Sequence, residues 1–465
     1  MYIEQLYTHC LSEAAYYIES NGEAAVIDPL RDTDAYIKLA ASRNAKIKYI
    51  FETHFHADFV SGHLDLAAKT GAPIIYGPNA QTEFKKYSAV DEELFPLGAI
   101  QLKAIHTPGH TLESTCYLAI DEQGIPEAIF TGDTLFVGDV GRPDLFSGDL
   151  TKEELAEFMY HSLHKLKALP DAVKVYPAHG PGSSCGKNLG PNTHSTIGEE
   201  KLTNYALQPQ SKEEFVTAVT EGLSTPPVYF AINAGINKKG YMSLDELMQK
   251  GMKALTIEEC KALKDEAIIL DTRPATTFTQ GFIPSSISIG LEGRFAEWAG
   301  AMLPFHEKII LVTEAGKEEE TLVRLARVGF DQIIGYLDGG FEAWQAANEP
   351  IDLIIDIEAD ELKMDLNYDS HMVVVDVRKE LEYQNGHVST AINMPLHTLT
   401  DVGTICNFED NDNLYIHCAG GYRSVIASSL LKRHGYHNLR NVLGGYEKIK
   451  EIPGMPIEVS KQVLN

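Results

Sequence analysis

Apolar residues of the first 200 positions occur in short runs, and each run ends in a segment rich in Gly, Pro, Asp or His. Examples are the runs at 24–27, 47–51, 73–76 and 128–130. Runs this short, bounded by turn-forming residues, predict buried strands. Because the polar residues follow the strand ends, the pattern predicts an α/β domain whose chemistry lies on loops. Residues 200–250 have a more helical pattern and are predicted to complete this domain.

The rest of the chain contains an internal repeat. The recurring positions are Asp271 and Asp376, Gly281 and Gly386, and Gly339 and Gly444. The members of each pair are 105 residues apart. A spacing that is constant over three motifs predicts two homologous units of about 100 residues, each with a parallel α/β sheet. We therefore predict an α/β protein of three domains, at residues 1–252, 253–352 and 353–465.

Composition narrows the classes of function. The 465 residues include 39 basic and 66 acidic side chains, which gives a net charge of −27. Such a charge repels nucleic acids and anionic membranes, so neither is expected as a partner. We find no apolar run long enough to span a membrane and no signal sequence at the N-terminus. The six cysteines are scattered and form no CxxC pair, which favours a reducing, cytoplasmic location.

The densest group of possible metal ligands is the segment THFHADF at residues 53–59, directly after the apolar run 47–51. Two imidazoles and a carboxylate at a strand end predict a metal-binding loop. In a hydrolase, a loop of the form HxHxDH usually serves two metal ions. Here the last position is Phe59. The substitution indicates a site for a single metal ion.

Three later segments supply further candidate ligands. Each places one polar side chain after a strand-like run and among Gly and Pro residues, and these are His110, Asp133 and His179. Glycine and proline let the backbone turn sharply toward an ion. Imidazole and carboxylate ligands suit a first-row metal, and the spacing alone does not distinguish iron from zinc.

A second kind of chemistry is predicted at Cys418, which opens the segment CAGGYRS between an apolar run and a helical pattern. Backbone N–H groups of such a loop and the positive end of the helix dipole favour a thiolate. Arg423 adds positive charge for an anionic sulfur donor or acceptor. The first repeat has Thr313 and Glu318 at the equivalent positions. We predict that this repeat cannot carry sulfur and is a scaffold or docking unit.

The motifs HxHxD, Gly-His, Gly-Asp and Ala-His-Gly, in this order, make residues 1–200 resemble the metallo-β-lactamase fold. Among its members, the segment is most similar to the persulfide dioxygenases. The resemblance implies an αββα fold and one Fe(II) per chain, with zinc as an alternative. The implied ligands are His54, His110 and Asp133, and the implied groups that orient ligands and water are His56, Asp58 and His179. A weak second metal on the last three remains an alternative.

Two further residues of this domain are candidates for a role. In the persulfide dioxygenases, a matching Gly-Arg-x-Asp segment places an arginine that holds an acidic thiol cofactor, which implies substrate binding by Arg142. The alternative is an ion pair between Arg142 and Asp144. Cys185 lies in a Gly/Ser-rich loop beside Lys187. It is either a thiolate of lowered pKa that receives sulfur or an inert packing residue.

Residues 355–465 resemble a rhodanese domain, with Asp-Val-Arg, Gly-His-Val, the Cys418 loop and a closing Gly-Gly-Tyr. The domain order resembles a fusion of a persulfide dioxygenase with a sulfurtransferase. This resemblance implies that O₂ oxidises a small thiol persulfide, of the glutathione or coenzyme A type, to sulfite. Cys418 would carry a sulfane sulfur, and would either load the persulfide or pass the sulfur to sulfite to form thiosulfate. Because the Cys-less repeat offers a surface without chemistry, we expect a homo-oligomer.

Two other functions fit parts of the sequence. The first is a thioester hydrolase of the glyoxalase II type with two metal ions, which needs the ligand that Phe59 replaces. The second is a sulfur-relay scaffold in which Cys418 delivers sulfur to partner proteins, which leaves the metal ligands without a purpose. Metal content and the consumption of O₂ distinguish these functions from a dioxygenase.

Overall fold

In the computed structural model, the described residues are 1–145, 150–187, 189–223, 225–405, 408–409 and 411–460, and Cys406 lies outside them. The chain divides into two compact units. The first consists of Met1–Leu247 with Val323–Asp331, and the second consists of Met248–Leu322 with Gln332–Asn465. Each is described separately below.

The first unit contains two six-stranded sheets. The strands of the first sheet are β1 (Tyr2–Thr8), β2 (Glu13–Ser20), β3 (Glu23–Ile27), β4 (Lys46–Phe51), β5 (Ile74–Tyr76) and β6 (Tyr87–Ser88). The strands of the second sheet are β7 (Leu94–Leu97), β8 (Ile100–His106), β9 (Thr115–Ile120), β10 (Pro126–Gly132), β11 (Lys174–Pro177) and β12 (Ser195–Thr196). Both sheets are mixed, since β3 and β4 pair in parallel, as do β10 and β11.

The helices of this unit are α1 (Asp34–Ser42), α2 (His63–Thr70), α3 (Lys152–Lys167), α4 (Ile197–Thr203), α5 (Lys212–Thr220), α6 (Tyr229–Lys239) and α7 (Leu244–Gly251), which extends into the second unit. A 3₁₀ turn covers Tyr205–Leu207.

Strand β2 shows why both faces of a sheet are buried. Its residues Tyr16 and Ile18 pack in the core between the two sheets, whereas Ala15 and Tyr17 pack on the opposite face in a cluster with residues of α1 and α2. The outer face of the second sheet packs against α3 and α5. The resulting order of layers is helix, sheet, sheet, helix, so the αββα fold that the resemblance implied is confirmed.

The second unit contains both repeats, except that Val323–Asp331 of the first repeat belong to the first unit. The elements of the first repeat are β13 (Ala254–Leu255), α8 (Ile257–Leu263), β14 (Ala267–Asp271), α9 (Ala275–Thr279), β15 (Ile287–Ser288), α10 (Phe295–Met302), β16 (Lys308–Val312), α11 (Glu318–Arg327), β17 (Ile333–Leu337) and α12 (Gly340–Ala346). Those of the second are β18 (Ile355–Ile357), α13 (Ala359–Asp365), β19 (Met372–Asp376), α14 (Glu380–Gln384), β20 (His387–Val388), β21 (Ile392–Asn393), α15 (Val402–Ile405), β22 (Asn413–His417), α16 (Tyr422–Arg433), β23 (Leu439–Val442), α17 (Gly445–Ile449) and β24 (Ile457–Glu458), with a 3₁₀ turn at Leu396–Thr400.

The two repeats have sheets of the same topology. The strand orders are β13-β17-β16-β14-β15 and β18-β23-β22-β19-β21, and all pairings in both are parallel. The predicted duplication of a parallel α/β unit is therefore confirmed. None of the helices in the described part of the chain combines the length and the apolar character that a membrane span requires.

Candidate metal centre and sulfur-transfer site

Three of the predicted ligands converge at one point of the first unit. His54 follows β4, His110 lies between β8 and β9, and Asp133 follows β10. The Oδ2 atom of Asp133 is 3.7 Å from Nε2 of His54 and 3.4 Å from Nε2 of His110. Each of the three residues is 2% exposed. The sheets thus bring together residues that are far apart in the sequence, as strand-end loops do.

The second nitrogen of each imidazole fixes its orientation. Nδ1 of His110 is 2.8 Å from the carbonyl oxygen of Arg142, which can only accept a hydrogen bond. Nδ1 of His54 is 2.9 Å from Oγ1 of Thr53, whose hydroxyl donates to Asp28. Both Nδ1 atoms therefore carry the proton, and both Nε2 atoms present a lone pair toward Asp133. Burial lowers the pKa of His54 well below its ordinary range, so this ring is neutral.

The three groups fit a divalent first-row metal. The Oδ2 atom of Asp133 is buried and has no hydrogen-bond partner among the described residues, although a buried carboxylate oxygen normally has one. Burial alone raises the pKa of Asp133, but the charge of His179 and its hydrogen bond to Asp133 lower it below its ordinary range, so the group is a carboxylate. Two imidazoles and a carboxylate form the ligand set of non-haem iron sites that keep open positions.

His179 lies between two carboxylates. Its Nδ1 is 2.8 Å from Oδ1 of Asp133, and its Nε2 is 2.8 Å from Oδ2 of Asp58. Burial lowers the pKa of His179, but Asp133 and Asp58 raise it well above its ordinary value. The ring is then an imidazolium whose two N–H groups donate to the two carboxylates. In this state His179 orients Asp133.

His56 borders the metal centre from another side. The ring of His56 is centred 4.2 Å from that of His54 and 4.3 Å from that of Phe59. Nε2 of His56 lies 3.0 Å from Oδ1 of Asp28 and 3.6 Å from Oε2 of Glu52. Neither ring nitrogen of His56 has a hydrogen-bond partner among the described residues, so these carboxylates lie near the ring without a hydrogen bond to it.

Cys185 lies close to the centre but is not the predicted thiolate. Its sulfur and one ligand atom each of Asp58 and His179 lie within 4.8 Å of one another. Burial raises the pKa of the Cys185 thiol well above its ordinary range, and the carboxylates of Asp58 and Asp133 raise it further. The expectation of a lowered pKa was therefore wrong. A role for Cys185 in receiving sulfur stays a prediction.

Arg142 forms the ion pair that the sequence left open as an alternative. Nε and Nη2 each lie 2.7 Å from a different carboxylate oxygen of Asp144, and Arg142 is 3% exposed. Its backbone carbonyl holds His110, and its backbone N–H donates to the carbonyl of Cys185 at 2.9 Å. Arg142 thus helps to orient the candidate ligand His110. Substrate binding by this residue stays a prediction.

Cys418 occupies the predicted loop of the second unit, between β22 and α16. It is 1% exposed, and its sulfur accepts a hydrogen bond from the N–H of Gly421 at 3.1 Å. Gly445, at φ +57°, packs so closely on the carbonyl oxygens of Cys418 and Ala419 that a Cβ atom would overlap them. The glycine of the closing Gly-Gly-Tyr motif therefore lets the chain approach the back of the loop.

Arg423 is paired, a feature that its sequence context did not indicate. Its Nη1 and Nη2 atoms bond to the two carboxylate oxygens of Glu382 at 2.7 and 2.8 Å. The predicted positive charge beside Cys418 is therefore partly neutralised, and the role of Arg423 toward an anionic substrate stays a prediction. In the first repeat, Thr313 is 4% exposed after β16, and Glu318 begins α11.

Comparisons with known proteins match the region of the metal centre to one family and the two repeats to another. The model of the metallo-beta-lactamase superfamily matches residues 10–179, and that of the rhodanese-like domain matches residues 256–347 and 358–452. A hydroxyacylglutathione hydrolase of Pelagibacter ubique is 34% identical over 175 residues, which are 37% of this chain and 68% of that protein. The chain belongs to the metallo-β-lactamase superfamily.

Two further relatives support the membership. A probable hydroxyacylglutathione hydrolase of Schizosaccharomyces pombe is 31% identical over 204 residues, which are 39% of this chain and 75% of that protein. A metallo-beta-lactamase structure from Staphylococcus aureus is 32% identical with a TM-score of 0.64, and the match covers 72% of this chain and 98% of that one. The match to the Staphylococcus aureus structure therefore extends beyond residues 10–179, the region that the superfamily model matches.

Sequence reasoning missed the carboxylates behind the metal-binding loop of this superfamily member. Asp28, which adopts φ +51°, accepts hydrogen bonds from the N–H and hydroxyl of Thr53 at 2.7 and 2.8 Å. Glu52 is fully buried beside His56 and His63. The signal was available for Asp28, because it follows the apolar run 24–27 just as Asp133 follows 128–130.

Glu13 is a second missed group. It is fully buried, and neither carboxylate oxygen has a hydrogen-bond partner among the described residues. Burial raises the pKa of Glu13 well above 4.5, and the imidazolium of His179 counteracts this only in part. The folded chain therefore keeps the carboxyl group protonated at pH values where the unfolded chain ionises it.

We expect the Glu13→Gln substitution to increase stability at neutral pH relative to the wild type. Above the unfolded pKa, near 4.5, ionisation stabilises only the unfolded wild type. The wild type therefore loses up to about 1.4 kcal/mol per pH unit relative to the variant, until the folded pKa is reached. Urea-unfolding midpoints of both proteins between pH 5 and pH 7 measure the difference. Parallel pH profiles would contradict the raised pKa.

Proposed function

We propose that the chain is a persulfide dioxygenase joined to a sulfurtransferase. The observation that carries the proposal is the convergence of His54, His110 and Asp133, one of three groups among the described residues that could hold a metal ion, in a centre where Phe59 replaces the last histidine of the loop. A ligand set with open positions suits O₂ and a substrate sulfur. The sulfur-transfer site at Cys418 on the same chain supports a substrate that contains sulfane sulfur.

The first reaction converts a persulfide RSSH, O₂ and H₂O into the thiol RSH, sulfite and two protons. An Fe(II) ion held by the three ligands would bring O₂ and the persulfide sulfur together. His179 holds Asp133 in place, and the carbonyl of Arg142 holds His110. The small thiol is proposed to be glutathione or coenzyme A, and Cys185 and Arg142 are the candidates for contact with it.

The second reaction occurs at Cys418. A second RSSH gives its outer sulfur to the Cys418 thiolate and leaves as RSH, which forms Cys418–S–S⁻. This persulfide loses its outer sulfur to sulfite, so that the S–S bond breaks, a new S–S bond forms in thiosulfate, and the Cys418 thiolate remains. The N–H of Gly421 and the start of α16 stabilise negative charge on the sulfur before and after transfer. One chain that carries both sites raises the effective concentration of sulfite at Cys418.

A thioester hydrolase with two metal ions is the second candidate, because the relatives named above are hydroxyacylglutathione hydrolases. Two assays on one preparation separate the candidates. A dioxygenase consumes O₂ with glutathione persulfide and leaves S-lactoylglutathione intact. A hydrolase cleaves the thioester and consumes no O₂. Rapid thioester cleavage without O₂ uptake would reject our proposal.

Restoring the histidine of the loop provides a more specific prediction. We expect the Phe59→His variant to bind up to about two metal ions per chain, against about one in the wild type, because the substitution restores the last histidine of the loop directly after Asp58 and beside the ring of His56. Mass-spectrometric metal analysis after purification with excess Zn²⁺ measures the ratio. The Phe59→Leu variant is the control and stays at the wild-type ratio. Two metals in the wild type, or one in Phe59→His, would contradict the expectation.

A further inference from the structure

The two repeats contact each other along helix α16, which starts directly after the Cys418 loop. Val425 packs in a buried cluster with Phe278 and Phe282 of the first repeat. Further along, Ser429 accepts a hydrogen bond from the N–H of Ser288 at 3.0 Å, and Arg433 donates to the carbonyl of Ser285. Positions 425, 429 and 433 lie on one face of a helix. The first repeat therefore covers one side of α16.

The first repeat also contacts the start of α16 through a hydrogen bond. The hydroxyl of Tyr422, the first residue of α16, donates to the carbonyl oxygen of Gly290 at 2.7 Å. Tyr422 follows Gly421, whose N–H donates to the sulfur of Cys418 at 3.1 Å. Gly290 of the first repeat is therefore linked to the sulfur through two hydrogen bonds and the chain from Gly421 to Tyr422.

Gly290 leaves little room for a side chain. A Cβ atom there would lie 3.6 Å from the ring of Tyr422, an ordinary contact, and 3.1 Å from the carbonyl oxygen of Arg273, which is tight. A branched side chain would add atoms between these two groups. The equivalent residue of the second repeat, 105 positions later, is Pro395. The two repeats therefore differ at this position, where the first repeat contacts Tyr422 next to the Cys418 loop.

The second repeat also holds the loop. The N–H groups of Tyr446 and Glu447 donate to the carbonyls of Cys418 and Ala419 at 2.7 and 3.0 Å, and Oγ of Ser424 donates to the carbonyl of Gly421 at 3.0 Å. Gly421 has a φ of +107°, which residues other than glycine rarely adopt. Its N–H lies directly before α16, so the contact of the first repeat with the start of this helix adds to the bonds within the second repeat.

We propose that the Cys-less repeat is a positioning element of the sulfur-transfer site. The carbonyl of Gly290 anchors Tyr422, fixes the start of α16 and so keeps the N–H of Gly421 directed at the sulfur of Cys418. This proposal rests on the proposed sulfur transfer at Cys418. It gives the first repeat a function that does not need the missing cysteine, and it makes Tyr422 and Gly290 positioning residues.

The test compares three full-length variants with the wild type. Tyr422→Phe removes the hydroxyl, and Gly290→Val places a side chain against the Tyr422 ring. Tyr436→Phe is the control, because it removes a similar hydroxyl-to-carbonyl bond, to Ile405, within the second repeat. Two quantities are measured: the pH profile of Cys418 alkylation by iodoacetamide, followed by peptide mass spectrometry, and kcat and KM for sulfur transfer from thiosulfate to cyanide.

We expect Tyr422→Phe and Gly290→Val to shift the alkylation profile of Cys418 to higher pH and to lower kcat by about threefold to tenfold, with a smaller change in KM. Tyr436→Phe should match the wild type. Wild-type profiles in both test variants would overturn the proposal, and so would equal losses in all three variants. If the wild type itself transfers no sulfur, the proposed function of Cys418 fails, whereas the alkylation profiles still decide whether Gly290 positions the loop.

Discussion

Replacing Asp133 by Asn is expected to remove the metal ion and to reduce O₂ uptake with a thiol persulfide to background. The substitution replaces the negative charge of the only carboxylate in the ligand set, and it leaves the imidazolium of His179 with one charged partner fewer. Loss of a ligand weakens metal binding by more than the roughly 10- to 100-fold seen when only a supporting residue is lost. Metal content after dialysis and O₂ consumption measure the two effects.

The matched control is Asp34→Asn, the same change at an exposed carboxylate at the start of α1. It should retain both the metal and the activity. An Asp133→Asn protein that keeps its metal through dialysis would show that Asp133 is not a ligand. A protein that loses the metal but still consumes O₂ would contradict the link between this centre and oxygen chemistry.

The Cys418→Ser variant is expected to consume O₂ at the wild-type rate when glutathione persulfide is supplied, but to form no thiosulfate. Serine oxygen cannot form the persulfide, and the first repeat has no substitute because Thr313 occupies the equivalent position. Sulfite should accumulate in place of thiosulfate. Chromatographic separation of the two anions, run beside the O₂ measurement, provides the result.

Cys10→Ser is a control for this experiment, since Cys10 is a partly exposed thiol of the first unit. It should give the wild-type ratio of thiosulfate to sulfite. An unchanged yield of thiosulfate in Cys418→Ser would contradict the coupling of the two sites. A loss of O₂ uptake in the same variant would mean that Cys418 is needed for the first reaction as well.

Much of the fold could be predicted, because the sequence patterns that indicate it are local. Short apolar runs that end in polar residues give the strands of the first unit, and the constant spacing between Asp271 and Asp376 gives the duplication. The same rule placed His54, His110 and Asp133 at strand ends, where the structure brings them together. Asp28 obeys the rule as well, but no motif drew attention to it.

Ion pairs between residues that are distant in the sequence could not be predicted, because only the fold brings their segments together. Glu382 is distant in sequence from Arg423, and nothing near either residue indicates their ion pair. The direction of the pKa shift of Cys185 could not be predicted for the same reason. Its sequence neighbour Lys187 bonds to the carbonyl of Ala218, whereas the groups that affect the thiol, Asp58 and Asp133, belong to other loops.

The most direct test of the proposed function is the stoichiometry of O₂ uptake in protein whose metal content is known. An oxygen electrode records the reaction with glutathione persulfide, and sulfite and thiosulfate are determined in the same sample. We expect about one iron per chain and one O₂ consumed for each sulfite or thiosulfate formed, since persulfide, O₂ and water supply all atoms of sulfite and the thiol. Two zinc ions per chain with no O₂ uptake would contradict the proposal and favour the hydrolase.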